Sequence, residues 1–202
     1  MIDTLKQDII QVAMAKMRAV GIRSVSIDDV CHELGMSKKT FYVYFATKDE
    51  LVEAMLLKLE DEVNANIQTK LEKNTILDLL LNFQKIMRET RDVRQVPPVI
   101  YDLEKYYPQL YQAHKSRVRA RARINIGVAL QRGKEEHIFR EDLDVDKACV
   151  VIESMREAIL NVLMDEKENK RNVDAIKYAI DIVMRGIVSE EGKEMILRKM
   201  NG

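Results

Sequence analysis

The chain has 202 residues, with 33 basic and 33 acidic side chains, so its formal net charge is zero. That balance excludes the global basic field that announces a nucleic-acid partner, and leaves only a local patch for such a role. Hydrophobic content of 47 %, charged content of 33 %, three prolines and seven glycines indicate an all-α protein with few breaks. No run approaches the ~18 apolar residues of a membrane span, and the charged N-terminal stretch is unlike a signal peptide, so the expectation is a cytoplasmic protein with no membrane partner.

Leu5, Ile9, Val12, Ala13, Met17 and Val20 recur at helical spacing, which predicts an opening helix from about residue 3 to about residue 20, closing on Gly21. Ser26 followed by Asp29 is close to a capping box and starts a second helix. Its apolar stripe is Ile27, Val30, Cys31 and Leu34, and Gly35 ends it as a left-handed residue. One residue later Ser37 caps a third helix that begins Lys38, Lys39, Thr40. Helix, glycine turn, helix is the grammar of a helix-turn-helix. Phe41 and Phe45 are spaced to bury, whereas Lys38, Lys39, Thr40, Tyr42 and Tyr44 carry hydrogen-bond donors suited to phosphates and base edges. From Ser37 to Lys48 there are three lysines and no acid, which supplies the local patch. Thr47 and Glu50 read as a second capping box, opening a further helix with Lys48 at its start.

The segment VSIDDVCHELGMSKKTFYVYFATKDELV, from Val25 to Val52, resembles the DNA-binding domain of the TetR family of bacterial transcriptional regulators. The pattern lies in Gly35-Met36-Ser37, the variable pair Lys38-Lys39, Thr40, an aromatic, Tyr42, then Phe45 and Lys48-x-x-Leu51, and covers roughly the first 55 residues. The resemblance implies that Ser26, Ser37, Thr40, Tyr42, Tyr44 and Lys48 contact the DNA backbone and that Lys38 and Lys39 read bases. Lys39 stands where the family often has a small residue and Tyr44 where it often has histidine, so a relative's operator does not transfer. A dimer through the last two helices and a ligand cavity among the middle helices are further implications.

From Glu50 a long helix keeps Leu51, Met55, Leu59, Val63 and Ile67 on one face. Asn74 or Thr75 caps the next helix, which carries Ile76, Leu79, Leu80, Phe83, Ile86 and Met87. Pro97-Pro98 breaks the chain and restarts a helix at its first turn. Pro108 ends that piece, and a helix from about Gln109 to about Arg132 follows, closed by Gly133. Within it Arg117, Arg119, Arg121 and Arg123 step by about 200° each, so they form a girdle that is solvated, ion-paired or set against acidic helices, and not a second DNA-binding stripe.

Asp144 caps a helix in which Ala148, Ile152, Met155, Ile159 and Val162 step by four and three. Asn172 caps a last long helix with Val173, Ile176, Ile180, Val183 and Ile187 in the same rhythm. Additional apolar residues off each stripe let these helices face both their own domain and a partner. A homodimer interface is expected through Ile152, Met155, Ile159, Ile176, Ile180 and Val183.

Two cysteines, Cys31 and Cys149, lie in apolar stripes and read as buried free thiols. His32, His114 and His137 are scattered, with no second metal ligand at helical spacing, and there is no phosphate-cradling glycine loop or nucleophile elbow. No enzyme activity, metal or cofactor is expected. Candidate ligand contacts are Met87, Tyr101, Tyr106, His114 and Asn125, apolar bodies with polar tips and buried amide or imidazole groups that require partners.

The expected organisation is a helix-turn-helix DNA-binding domain over residues 1–48 and a helical ligand-binding and dimerisation domain over residues 49–202. The expected function is a ligand-responsive transcriptional regulator, a repressor, binding a palindromic operator in double-stranded DNA as a homodimer. The alternative is a DNA-binding adaptor or nucleoid-associated protein that recruits another protein without a small-molecule ligand.

Overall fold

The computed structural model describes residues 2–89, 98–164 and 169–201. Among them, apart from a single antiparallel bridge between Phe139 and Val188, all regular structure is helical. The helices are α1 (Ile2–Val20), α2 (Ile27–Glu33), α3 (Lys38–Tyr44), α4 (Lys48–Lys73), α5 (Ile76–Glu89), α6 (Pro98–Tyr106), α7 (Pro108–Glu135), α8 (Val145–Met164), α9 (Asn169–Ile187) and α10 (Glu190–Asn201). Two compact units are distinguished: residues up to 63 together with α6 and α7 up to residue 118, and the remainder. The N-terminal parts of α4 and α7 thus belong to the first unit and their C-terminal parts to the second.

The core of the first unit gathers Ile9, Ala13 and Met17 of α1, Val30 and Cys31 of α2, and Phe41 and Phe45 around α3. Leu51, Val52, Met55 and Leu56 from the first turns of α4, with Val99 and Leu103 of α6, complete it. The helix-turn-helix therefore buries its apolar faces against more than the opening helix. Val20, the last residue of α1's stripe, is exposed because the chain leaves the helix at Gly21, whose φ of 87° is left-handed. The α4 stripe is buried at Leu51 and Met55, whereas Val63 and Ile67 are exposed.

The second unit has its own core, built from Leu71, Ile76, Leu77, Leu130, Ile138, Phe139, Ala148, Cys149 and Val188 among others. Thr75 caps α5, its hydroxyl oxygen accepting from Asp78 N at 3.1 Å, and Asp144 caps α8 by accepting from Lys147 N at 3.1 Å. Pro98 occupies the first position of α6, where a missing N–H costs nothing. The predicted side chains of Ile86, Met87, Val162 and Val173 lie outside the described residues.

Three sequence expectations change. Gly133 does not close α7, which runs on to Glu135; the left-handed residue after it is His137, with φ 58°. Gly133 serves proximity instead, since a β-carbon there would lie 2.1 Å from the Phe139 ring. Second, α9 begins at Asn169, ahead of the predicted cap Asn172. Third, α9 is followed by α10, whose cap Ser189 accepts from Gly192 N at 2.8 Å and donates its hydroxyl to His137 O at 2.7 Å. Ser189 N also donates to Ile138 O, and Arg140 N to Ile187 O, so backbone pairing ties the start of α10 to the segment after α7.

That junction is tight at Gly192, where a β-carbon would sit 2.3 Å from the Ile138 carbonyl oxygen, a backbone atom with no freedom to turn aside. Gly192→Ala is expected to lose about 1–3 kcal/mol of stability through overpacking. Gly186→Ala, whose added carbon meets nothing within 4 Å, is expected to lose none. Urea unfolding of both variants checks the contrast.

Candidate nucleic-acid interface

Local capping chemistry shapes the helix-turn-helix. Ser26 and Asp29 form a full capping box: Asp29 N donates to Ser26 Oγ at 3.1 Å, and Asp29 Oδ2 accepts from Ser26 N at 2.7 Å and from Ser26 Oγ at 2.6 Å. Those bonds from Ser26 hold the Asp29 carboxyl below the usual range. Gly35 adopts φ 60° and Met36 N donates to Cys31 O at 2.9 Å, which turns the chain at the end of α2. Ser37 then caps α3, accepting from Thr40 N at 3.1 Å, with the two hydroxyls 3.0 Å apart. At the start of α4, Glu50 N donates to Thr47 Oγ1 at 3.2 Å. The Glu50 carboxylate reaches Ala46 N at 2.7 Å, one residue earlier than a regular capping box would place it.

Phe41, fully buried, and Phe45, with rings 5.7 Å apart, seat α3 on the core. Its outer surface carries exposed Lys38, Lys39, Tyr42 and Val43, while Thr40 and Tyr44 are half-buried and Tyr44 packs against the core. Lys38 Nζ lies 2.9 Å from Asp28 of α2, which raises the lysine pKa through that hydrogen bond. Lys39 has no polar partner among the described residues. Lys48 is drawn inward, donating to Ile22 O at 2.7 Å; burial lowers its pKa, opposed by Asp102, Asp29 and Asp49. One of its three ammonium hydrogens is thereby committed, and it ties α4 to the turn between α1 and α2. The same turn is held by Arg23, whose N donates to buried Asp102 at 2.8 Å and whose guanidinium covers the Tyr106 ring and donates to its hydroxyl at 2.8 Å.

Of the five predicted ligand contacts, Tyr101, Tyr106, His114 and Asn125 do not line the cavity found between α5 and α9. Tyr101 and Tyr106 are exposed on α6, and Lys105 stacks over both rings. His114 Nδ1 donates to Glu60 Oε1 at 2.7 Å within the first unit. Asn125, in the second unit, accepts from Gln68 Nε2 and donates to Asn64 Oδ1 at 3.1 Å. Met87's side chain lies outside the described residues. A cavity of about 480 Å³ does open in the second unit between α5 and α9, lined by Leu80, Phe83, Gln84, Lys177, Ile180, Asp181 and Met184. Its size falls within the usual range for a small-molecule site.

Of the predicted interface residues, Ile152, Met155, Ile159, Ile176, Ile180 and Val183 are all half-buried within one chain, Ile152 and Val183 packing on the second core. Exposed apolar neighbours on the same helices are Val151, Tyr178 and Ile182. Two arginines of the α7 girdle are ion-paired: Arg117 to Glu60, and Arg119 to Glu153 of α8 at 2.5 Å and Glu157 at 3.4 Å. Cys31 and Cys149 are free and buried, and burial pushes both thiols up. No group of three or more potential metal ligands forms among the described residues, and no helix there is long and apolar enough to cross a membrane.

Residues 9–55 match the family model described as bacterial regulatory proteins, tetR family. The whole chain is similar in fold to a TetR-family transcriptional regulator from Cytophaga hutchinsonii, with TM-score 0.66 and 17% identity over 93% of this chain and 96% of that one. It is also similar to the reduced form of E. coli NemR, with TM-score 0.62 and 14% identity over 91% and 97%. A third likeness is to a regulator from Saccharomonospora viridis in complex with choline, with TM-score 0.60 and 17% identity over 93% and 100%. No curated protein matches the sequence. Family match and fold together place a helix-turn-helix of the tetR type at the start of an all-helical chain. The family match is confined to α1 after its first turns, the helix-turn-helix and the start of α4, and the likeness of the remainder is one of fold.

Glu60 generates a prediction about acid stability. Burial by itself pushes its carboxyl up, but the hydrogen bonds from Arg117, at 2.9 and 3.0 Å, and from His114 outweigh it and hold the pKa below the usual range. A carboxyl lowered on folding contributes stability that is complete above its unfolded value, about 4.3, and is lost as pH falls through the folded value. Glu60→Gln is expected to cost roughly 3 kcal/mol at pH 7, because it breaks a buried pair. Its stability is also expected to fall less steeply than wild type on acidification below about pH 4.3. Denaturant midpoints from pH 3 to pH 7, as a rough span, check both.

Proposed function

We propose that this chain is a ligand-responsive regulator, a repressor, that binds a palindromic operator in double-stranded DNA as a homodimer in the cytoplasm. The observation that carries the reading is the α3 surface: donors project from a helix whose opposite face is locked down by Phe41 and Phe45. Residues 1–48 supply the DNA contacts, with Lys39 as the principal base reader. Ser26, Ser37, Thr40, Tyr42, Tyr44 and Lys48 position the backbone, and Lys38 shares its charge between Asp28 and a phosphate. Residues 49–202 supply sensing and pairing. Two copies set their recognition helices about one DNA turn, ~34 Å, apart.

The small-molecule reading is supported by the α5–α9 cavity, where apolar Leu80, Phe83, Ile180 and Met184 stand beside the polar side chains of Gln84, Lys177 and Asp181. A ligand there works only through its preference between two arrangements of the protein, one matching the operator spacing and one not. The α8–α9 surface supports the dimer, with Val151, Tyr178 and Ile182 adding exposed apolar area to the predicted residues. The adaptor alternative, which needs a filled core, is less well supported in the presence of this cavity.

Selection of duplexes from random DNA, repeated at two salt concentrations, tests the reading. A palindromic sequence is expected, with affinity falling by about 0.9 log units per neutralised phosphate for each log unit of salt. Lys39→Ala is expected to relax base preference and to weaken binding more than Lys38→Ala, since Asp28 already shares the Lys38 charge. Recovery of no preferred sequence would reject a regulator of this kind. For the dimer, Ile182→Glu places a charge at an exposed position and is expected to give monomers in sedimentation while leaving the thermal transition of each chain in place. Dimers that persist would locate pairing elsewhere.

A further inference from the structure

We infer that Val43 is a second base reader in this protein, contacting the 5-methyl group of a thymine in the major groove; the inference rests on the DNA-binding reading above. Val43 is 75% exposed, a β-branched apolar side chain on a helix whose other strongly exposed residues all carry donors. Its position follows from the packing. Phe41 and Phe45 point into the core, and at about 100° per residue Val43 lies roughly 180° from their mean direction. Lys39, four residues earlier, shares that outermost face. Lys38 is turned toward α2, where it meets Asp28. The two side chains directed most squarely away from the core are therefore Lys39 and Val43, with Tyr42 and Thr40 on the flanks.

Chemistry then separates base from backbone. A valine offers no hydrogen to a phosphate and gains nothing beside one. In the major groove the one apolar protrusion on a base edge is the thymine methyl group, whereas a lysine suits guanine O6 and N7. Four residues of helix span roughly 6 Å, and stacked base pairs are about 3.4 Å apart. The thymine met by Val43 therefore lies within about two base pairs of the guanine met by Lys39.

The test uses the full chain and the duplex recovered by selection. Each thymine is replaced singly by 2′-deoxyuridine, which removes only the methyl group, and each guanine by 7-deazaguanine, which removes N7. Wild type is expected to lose about fourfold in affinity per half-site at one uracil position, the worth of one buried methyl group. That position is expected within two base pairs of the guanine whose N7 matters. Val43→Ala is expected to bind the thymine duplex about fourfold more weakly per half-site and to be indifferent to the uracil replacement. A melting curve matching wild type shows that the variant is folded. If uracil weakens neither protein, or weakens both alike, the inference fails while DNA recognition stands. If selection recovers no sequence, both fail together.

Discussion

The seating of Phe41 and Phe45 is the constraint on which the rest of the first unit turns. Two aromatic side chains four residues apart define one face of a seven-residue helix, and a core drawn from α1, α2, α4 and α6 receives them. Helix α3 is too short to hold itself in water, where isolated helices need about 12–15 residues. Its orientation is borrowed from that core, and with it the direction of every donor on the far side. A helix fixed in this way presents Lys39 and Val43 outward, while Tyr42 sets its ring edge-on to Phe41 at 5.5 Å.

Polar groups in the interior follow a consistent logic. Glu60, Asp102, Asn125 and Glu153 are the buried polar side chains among the described residues, and each is matched. Glu60 has Arg117 and His114, Asp102 has Arg23 N, Asn125 has Gln68 and Asn64, and Glu153 has Arg119. An unmatched carboxylate or amide in such places would cost more than its bonds contribute. Matched, these groups select one register of the helices that carry them, because a shift of one turn would strand them. Arg132 extends the pattern by donating to the carbonyls of Leu71 and Asn74 at the end of α4 while also meeting Glu136.

The sequence reading succeeded where the controlling physics is local. Ser26, Ser37, Thr75 and Asp144 cap the helices that follow them, and Gly21 and Gly35 are left-handed, because caps and turns are decided within four or five residues. It failed where two distant segments meet. Gly133 looked like a helix end, but its lack of a side chain answers to Phe139. The α10 helix went unread, since its cap and backbone ties reach back to His137 and Ile138. Val43 lies i+4 from Lys39 and opposite the buried aromatics, but it carries no donor, and spacing alone does not mark an apolar residue as a DNA contact.

Taken alone, the chain's residues determined an all-helical protein with a helix-turn-helix near its start, a local basic patch, and apolar stripes suited to a partner. They did so because helical periodicity, capping and charge are properties of neighbours. Only the tertiary structure decided that Lys38 is shared with Asp28, that Lys48 turns inward to Ile22, and that His114 serves Glu60. It also decided that the cavity opens between α5 and α9. These depend on which side chains meet across elements far apart in the chain, and no spacing along the sequence encodes that distance.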